Sequence, residues 1–303
     1  MRKVVGQILA TSDTPLPFGH LEAPIARGRH GEMWVTIPFG HPQGRKAFSG
    51  RRRIIIFPDI PLSLIKALKE RGGAKVNDVM ICLFSGCIRR YCKAMGAGSY
   101  IGGKDFQSRV VMPVALPRTM DAGDKATVLC NRWGLASTLL HLDEEDPAIR
   151  LEKIKVASAK MKETSMGGMH YLLQAHVMPR LPLSVCRAMV YRSLATHTLF
   201  LSNVPGPQEP TSFAGRRLRG IHFCFNNIMP HVGVISLNGA IGATLVVDPV
   251  ATPESLSLPS HYIDELKTLM ASLGVEDAKA LEQAESRRDR ITRTMMAAAD
   301  LMT

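Results

Sequence analysis

Residues 200–207 read FLSNVPGP and residues 242–249 read GATLVVDP, and the fold turns on the stretch they bracket, Leu199 to Asp248. Pro205 and Pro207 flank Gly206, so the backbone after Val204 is nearly predetermined: proline fixes φ, glycine supplies whatever φ the turn needs, and neither continues a ladder. Asn203 precedes the turn, where its amide can satisfy backbone groups left open. Three apolar runs, broken by Gly, Asn and charged residues, follow strand composition. Alone this is a strand-turn-strand element of an α/β protein.

Working outward, Arg51–Phe57 (RRRIIIF) reads as a buried strand, and Pro58 to Pro61 break it and open a helix that Gly72 and Gly73 end. Asn77 or Asp78 is a natural N-cap for the next helix, whose rows Val79, Leu83, Cys87 and Met80, Phe84, Ile88, Tyr91 leave little polar surface; such a helix is central and buried. Arg89, Arg90 and Lys93 suit its exposed end and the negative pole of its dipole. Gln107–Leu116 and Asn131–Leu140 read as strands. Asp143 to Asp146 precede a helix from Pro147 to about Thr164, where acid at the N-terminus has a structural reason. A Met-rich helical region, Met166 to Leu194, is interrupted at Pro179 and Pro182, and its methionines suit a core or a lipid-facing groove. A last amphipathic helix opens at Thr252–Glu254, with Ile263, Leu266, Leu269 and Leu273 on one face, and Gly274 ends it. The division expected is an irregular lead-in or inter-domain linker over 1–48, one α/β domain over 49–274, and a helical or disordered basic tail over 275–303.

Composition narrows the function. Of 303 residues, 46% are hydrophobic and 21% charged, the balance of a folded domain. No apolar run is long enough for a transmembrane helix, and the N-terminus lacks a signal-peptide cleavage site, so the expected place is the cytoplasmic side, soluble or peripherally membrane-associated. The net charge is +12, clustered at Arg51–Arg53, Arg216–Arg219 and Arg287–Arg293. Such clusters fit an anionic membrane surface, a coenzyme's phosphates or a nucleic acid. Aromatics make up only 6% and no nucleic-acid motif accompanies the charge, which speaks against nucleic acid. Cys82, Cys87 and Cys92 recur every fifth residue within a helix, a spacing that suits neither a zinc site nor a disulfide framework; they read as buried thiols. The histidines form no metal hook, and Ser202, with His197 nearby, sits in no Gly-x-Ser-x-Gly elbow. Glycines 96–103 follow a helix, the reverse of a nucleotide loop. No metal or bound cofactor is expected.

Two of these elements in order resemble a known family. VNDVMICLFSGCIRRYC resembles the Val-Asn-Asp-Val helix of the wax ester synthase/diacylglycerol acyltransferase family, and FLSNVPGP its Ser-Asn-x-x-Gly-Pro turn. VVMPVALPR resembles its Pro-Val-Ser-Leu-Arg strand. NRWGLASTLL resembles its Gly-Asn strand, with Cys130 in place of the glycine, and HVGVISLNGAIGATLVVDP its Ser-Tyr-x-Gly strand pair, with Leu237 where tyrosine is common. The match runs from about residue 11 to 273. It implies the C-terminal half of a coenzyme-A-dependent, chloramphenicol acetyltransferase-like fold, a two-layer sandwich with a mixed sheet and flanking helices. In such proteins two similar halves enclose a tunnel. The activity implied is transfer of a long acyl group from acyl-CoA, as co-substrate, to diacylglycerol or a fatty alcohol.

By the same resemblance Asn77 and Asp78 would buttress the site, and Ser202, Asn203 and Gly206 would shape the tunnel mouth. As a helix cap and a turn, the same residues have an equally complete structural explanation. The family's catalytic histidine lies in a His-His-x-x-x-Asp-Gly motif of the first half and acts as general base. This sequence has no such motif: His141 to Asp146 lacks the second histidine, and Pro147 stands where glycine belongs. The chain therefore reads as the C-terminal half with no catalytic residue of its own, completed by an N-terminal half or by a homo-oligomer. The alternative is a non-catalytic module that binds lipid or acyl-CoA, or completes a partner's site.

Overall fold

The computed structural model describes residues 51–103, 106–116, 132–163, 166–195, 197–218, 220–225 and 229–300. The lead-in over 1–48 and Cys130 lie outside them. A mixed sheet forms the frame, ordered β1 (Arg53–Ile56), β9 (Ala240–Val247), β8 (His231–Leu237), β5 (Leu199–Val204), β3 (Arg109–Ala115), β4 (Trp133–Leu139), with the two-residue β2 (Ile60–Pro61) also on β9. β5 runs parallel to β3 and β8, and the remaining pairs are antiparallel. Two of the three expected runs after the Ser-Asn turn thus become neighbouring strands, β8 and β9. β8 and β9 join through Asn238 (φ 52°) and Gly239 (φ 74°), the residue pair that tolerates the left-handed geometry of a tight hairpin. Between β5 and β8 a small separate hairpin, β6 (Ser212–Phe213) and β7 (Arg216–Arg217), stands apart from the main sheet.

One sheet face carries the helices. α1 (Leu62–Arg71) begins after Pro61 and stops at Gly72 and Gly73, the latter at φ 55°. α2 (Val76–Ala94) is the centre of the core, with Val79 through Arg89 all buried. The short α3 is Gly98–Ile101. α4 (Pro147–Glu163) follows the acidic run, whose Asp146 carboxylate accepts the backbone N–H groups of Ala148 (2.7 Å) and Ile149 (3.2 Å). α5 (Met166–Leu172), a wide-turn stretch at Leu173–Val177, a tight turn at Met178–Arg180 and α6 (Leu183–Ala195) make up the Met-rich region, broken near the two prolines. α7 (Leu258–Ser272) starts later than the sequence suggests, after a 3-10 turn at Ser255–Ser257. α8 (Ala278–Asp300) is started by Asp277, whose carboxylate accepts from the Ala280 N–H at 2.9 Å, and it buries Ala280 and Ala284.

Apolar burial supplies the driving force, and α2 concentrates it: Phe84 packs with Phe57 of the β1–β2 link and Tyr262 of α7, ring centroids 5.0–5.2 Å apart. Cys82 and Cys87 donate to the carbonyls of Pro147 and Leu258, and Cys82, Cys87 and Cys92 are buried free thiols.

Two expectations for α2 need correction. Its N-cap is Lys75 rather than Asn77 or Asp78; Asp78, three residues on, accepts the Lys75 backbone N–H at 2.9 Å, which reaches back to the same unsatisfied donors from inside the first turn. Arg89 and Arg90 are not its solvated end. Arg89 is buried and donates to the Leu142 carbonyl, while Arg90 reaches Glu265 (2.9 Å) and Thr268 (2.6 Å) on α7. Glu265 is itself buried and paired with Arg150 of α4, so a charge cluster fastens three helices where apolar contact was expected. The carboxyl carbon of Glu265 fills the space a Cβ on Gly86 would need, 2.0 Å away, which explains a glycine in mid-helix.

Candidate functional site

Strand alternation puts successive side chains on opposite faces, and this separates Ser202 from Asn203. Asn203 points to the helix face, where its Nδ2 donates to Asn77 Oδ1 at 2.6 Å. The two motifs, far apart in sequence, are thereby joined: the end of β5 is tied to the first turn of α2. Asp78, the neighbour of Asn77, is buried by its capping bond. Lys75 and Lys162 add positive charge beside it, and the Lys162 ammonium is pushed below its usual range by desolvation first and by Lys75 second.

Gly206 answers a packing demand. A Cβ there would lie 2.1 Å from the Ser236 carbonyl oxygen, so the turn presses backbone to backbone against β8. Its N–H donates to Ser236 Oγ at 3.2 Å, and the Asn238 N–H donates to the Pro207 carbonyl at 3.2 Å. The turn is thus clamped to the far end of β8.

Ser202 faces the other side of the sheet. It pairs with Gly233 and, through it, aligns with Thr244 on one flank; continuing the Val111–Phe200 register by two residues puts Pro113 and Leu135 on the same face on the other. The adjoining row is Ser137, Val111, Phe200, His231 and Val246. This face divides in two. Over β8 and β9 lies the extended segment 220–225: Phe223 packs on Gly233 and its carbonyl accepts the Thr244 hydroxyl, and His222 lies over Gly242. The first of the three apolar runs expected as strands is not one: 220–225 is irregular. Over β5, β3 and β4 the floor is half-open, with Phe200, Ser202, Pro113 and Leu135 partly accessible and Val204 exposed. An apolar floor with the Ser202 hydroxyl at its centre and Ser137 in the adjoining row can hold a hydrocarbon chain and orient a polar group above it.

Of the histidines weighed in the sequence, His231 and His197 lie beside this floor. His231 is buried between Phe200 (4.6 Å) and Phe225 (5.6 Å), neither ring nitrogen has a hydrogen-bond partner, and burial pulls its pKa down to about 4, so it is neutral. His197 lies against Ser137 Oγ (2.9 Å) and the Ser193 carbonyl (2.7 Å), not against Ser202. His222 Nε2 sits 3.3 Å from Asp59, which also faces Arg287 at 3.6 Å. His141, the nearest match to a catalytic motif, is half-buried at the start of α4's capping loop, away from this floor, and desolvation lowers its pKa. Only register shows which histidines share a face with Ser202. Among the described residues no group of His, Cys, Asp or Glu is placed to hold a metal ion.

A sheet of this order carries helices on one face and leaves a half-open apolar floor on the other. Residues 129–270 match the family model of the WS/DGAT C-terminal domain. The chain belongs to the wax ester synthase/diacylglycerol acyltransferase family, and what it carries is that C-terminal domain. A Mycobacterium tuberculosis protein named as a diacylglycerol O-acyltransferase is 32% identical over 264 residues, covering 83% of this chain and 55% of its own length. A Mycobacterium bovis protein of the same description is 26% identical over 262 residues, with the same coverage of 83% and 55%. The chain thus spans about half the length of the curated relatives it matches. Among solved structures, the wax ester synthase/diacylglycerol acyltransferase of Marinobacter aquaeolei VT8 superposes with a TM-score of 0.55 at 19% identity, over 76% of this chain and 51% of that one. The epimerization domain from the third module of tyrocidine synthetase B gives 0.51 at 10% identity, over 91% and 56%. Both report the fold.

Proposed function

We propose that this chain forms one wall of an acyl-CoA-dependent O-acyltransferase site that makes triacylglycerol or wax ester, with diacylglycerol or a fatty alcohol as acceptor. The observation that carries the reading is the Asn203–Asn77 hydrogen bond. It fixes the end of β5 from the helix side and so presents Ser202 on the apolar floor opposite. In this reading the acyl chain lies along Phe200, Pro113 and Leu135, and the clamped turn at Gly206 forms the rim. Asn77 and Asp78 act as positioning residues behind the strand.

The general base comes from a His-His-x-x-x-Asp-Gly half, in the same polypeptide or another, because general-base assistance is worth about 10²–10⁴-fold and these 303 residues hold no such motif. Radiolabelled acyl-CoA and diacylglycerol test this with the chain alone and with a co-expressed polypeptide bearing the histidine half. Turnover confined to the combination, and reduced by Asn203→Ala, supports the reading. Turnover by the chain alone that survives replacement of every histidine refutes the division of labour. Acyl-CoA binding with no turnover in either setting identifies a binding module instead.

A further inference from the structure

His231 is a polar side chain in a place that gives it nothing to bond. It leaves β8 on the same face as Ser202, because it stands two residues before Gly233, the partner of Ser202, and its own partner on β5 is Phe200. The residue is 4% exposed, and neither ring nitrogen has a hydrogen-bond partner. Its polar neighbours on this face are satisfied: Thr244 gives its hydroxyl to the Phe223 carbonyl, and Ser137 meets His197. Buried polar atoms in folded proteins are nearly always paired, so an exception at the border of an open apolar floor points to a ligand.

The surroundings describe the rest of that ligand. Phe225, whose ring centroid lies 5.6 Å from that of the imidazole, is 62% exposed, and Val204, on the Ser202 face, is 43% exposed. With half-buried Phe200 they give His231 a rim of apolar side chains turned toward solvent. An aromatic ring as exposed as Phe225 changes rotamer rapidly, and its movement opens the imidazole to the floor. Charge narrows the polar end. Burial keeps the ring neutral near pH 7. A neutral imidazole offers one N–H donor and one lone pair, and so matches a hydroxyl, which both donates and accepts. A carboxylate or phosphate would call for the imidazolium, which an apolar site disfavours.

We propose that His231 anchors the hydroxyl of a lipid alcohol whose hydrocarbon lies over Phe200 and Val204. Calling that alcohol the acceptor rests on the acyl-transfer reading; the contact itself does not. His231 is here a binding residue, and removal of the hydroxyl proton stays with the general base of the histidine half.

Equilibrium binding of radiolabelled decanol tests this, beside chlorodecane, which has the same length without the hydroxyl, and decanoate. The protein is the whole chain, alone and with the co-expressed histidine half. Decanol binds more tightly than decanoate. His231→Phe weakens decanol about tenfold and leaves chlorodecane within about twofold, while His231→Asn, which keeps a donor and an acceptor, recovers part of the loss. Should His231→Phe fail to fold, nitrogen NMR of the wild-type histidine rings decides: decanol shifts a His231 nitrogen toward its hydrogen-bonded value and chlorodecane does not. Wild-type protein that binds no decanol in either setting overturns the proposal. So do equal losses for decanol and chlorodecane in His231→Phe, which would make the ring mere packing, and decanoate bound more tightly than decanol. Absence of turnover with this binding pattern intact would remove the acyl-transfer reading and leave the alcohol site standing. Turnover whose acceptor KM is unmoved by His231→Phe would do the reverse.

Discussion

Replacing Glu265 by alanine tests how the helix layer is fastened. The Arg150 side chain has no exposure and that of Glu265 3%, and they are joined by a hydrogen bond, while Arg90 Nε completes the cluster at 2.9 Å. Arg150 also donates to the Glu144 carbonyl at 2.6 Å, but its Nε has no partner, so the guanidinium depends on Glu265 for its countercharge. Removing the carboxylate leaves a fully buried cation between α2, α4 and α7. Breaking a buried pair in this way costs about 3–5 kcal/mol, most of it from the stranded charge rather than from the lost contact. Substituting both sides, Glu265→Leu with Arg150→Met, removes charge and countercharge together and returns most of that loss. Equilibrium urea unfolding of the two variants and of the wild type measures the difference. A Glu265→Ala penalty under about 1 kcal/mol, or a double variant no more stable than the single one, would refute the view that desolvated charge dominates here. Gly86→Ala is a second probe of the same spot, because its methyl group must displace the Glu265 carboxyl, and it should destabilise by a comparable amount.

At the rim of the candidate site, Gly206→Ala forces the turn away from the Ser236 carbonyl and costs about 1–3 kcal/mol, whereas Asn203→Ala removes one partly solvated hydrogen bond and costs about 1 kcal/mol; thermal melts rank the two, and the reverse order would contradict the clamp. His231 makes stability depend on acid: burial holds its folded pKa at about 4, below the ordinary histidine value of 6.5, so its contribution is complete above about pH 6.5 and is lost as pH falls toward 4, by at most about 3 kcal/mol. Burial lowers His141, His170 and His261 in the same direction, so His231→Phe flattens the acid limb of a stability–pH curve without abolishing it; an unchanged limb would mean the ring is hydrated or paired. Thiol labelling should follow burial. Cys224 is exposed and reacts in the native state, whereas Cys82, whose pKa burial pushes up to about 12, and Cys87 and Cys92 react only after unfolding; mass mapping of native labelling at Cys82 would contradict the core described here.

Much of the frame was legible because its signals are local. Pro61, Gly72 and Pro147 mark helix ends by backbone chemistry, and the β-branched run at Ile54–Ile56 and the apolar rows of α2 declare buried elements. What local reading missed depends on residues distant in sequence. Arg89 and Arg90 look like a solvated helix end until Leu142 and Glu265 are brought to them. Asn77 looks like a cap until Asn203 arrives from across the sheet, and the capping falls to Asp78 from inside the helix. Ser202 and Asn203, adjacent in the Ser-Asn motif, divide between opposite faces, a separation that follows from strand period once β5 is recognised as a strand. His231 could be set aside as a metal ligand from spacing, but its isolation between Phe200 and Phe225 appears only in the fold.

The sheet is knitted from segments that leave the ribosome far apart in time. Arg53 of β1 pairs with Val247 of β9, and the apolar rows of α2 wait for Tyr262, Ile263 and Leu266 of α7. Until nearly all of the domain has been synthesised, α2 has no permanent cover and β1 no neighbour. Contacts of such sequence separation make folding slow, and the exposed intermediate is prone to aggregate or to need a chaperone. A stop codon placed just before β9 would therefore yield no smaller folded core, only a chain whose central helix stays sticky.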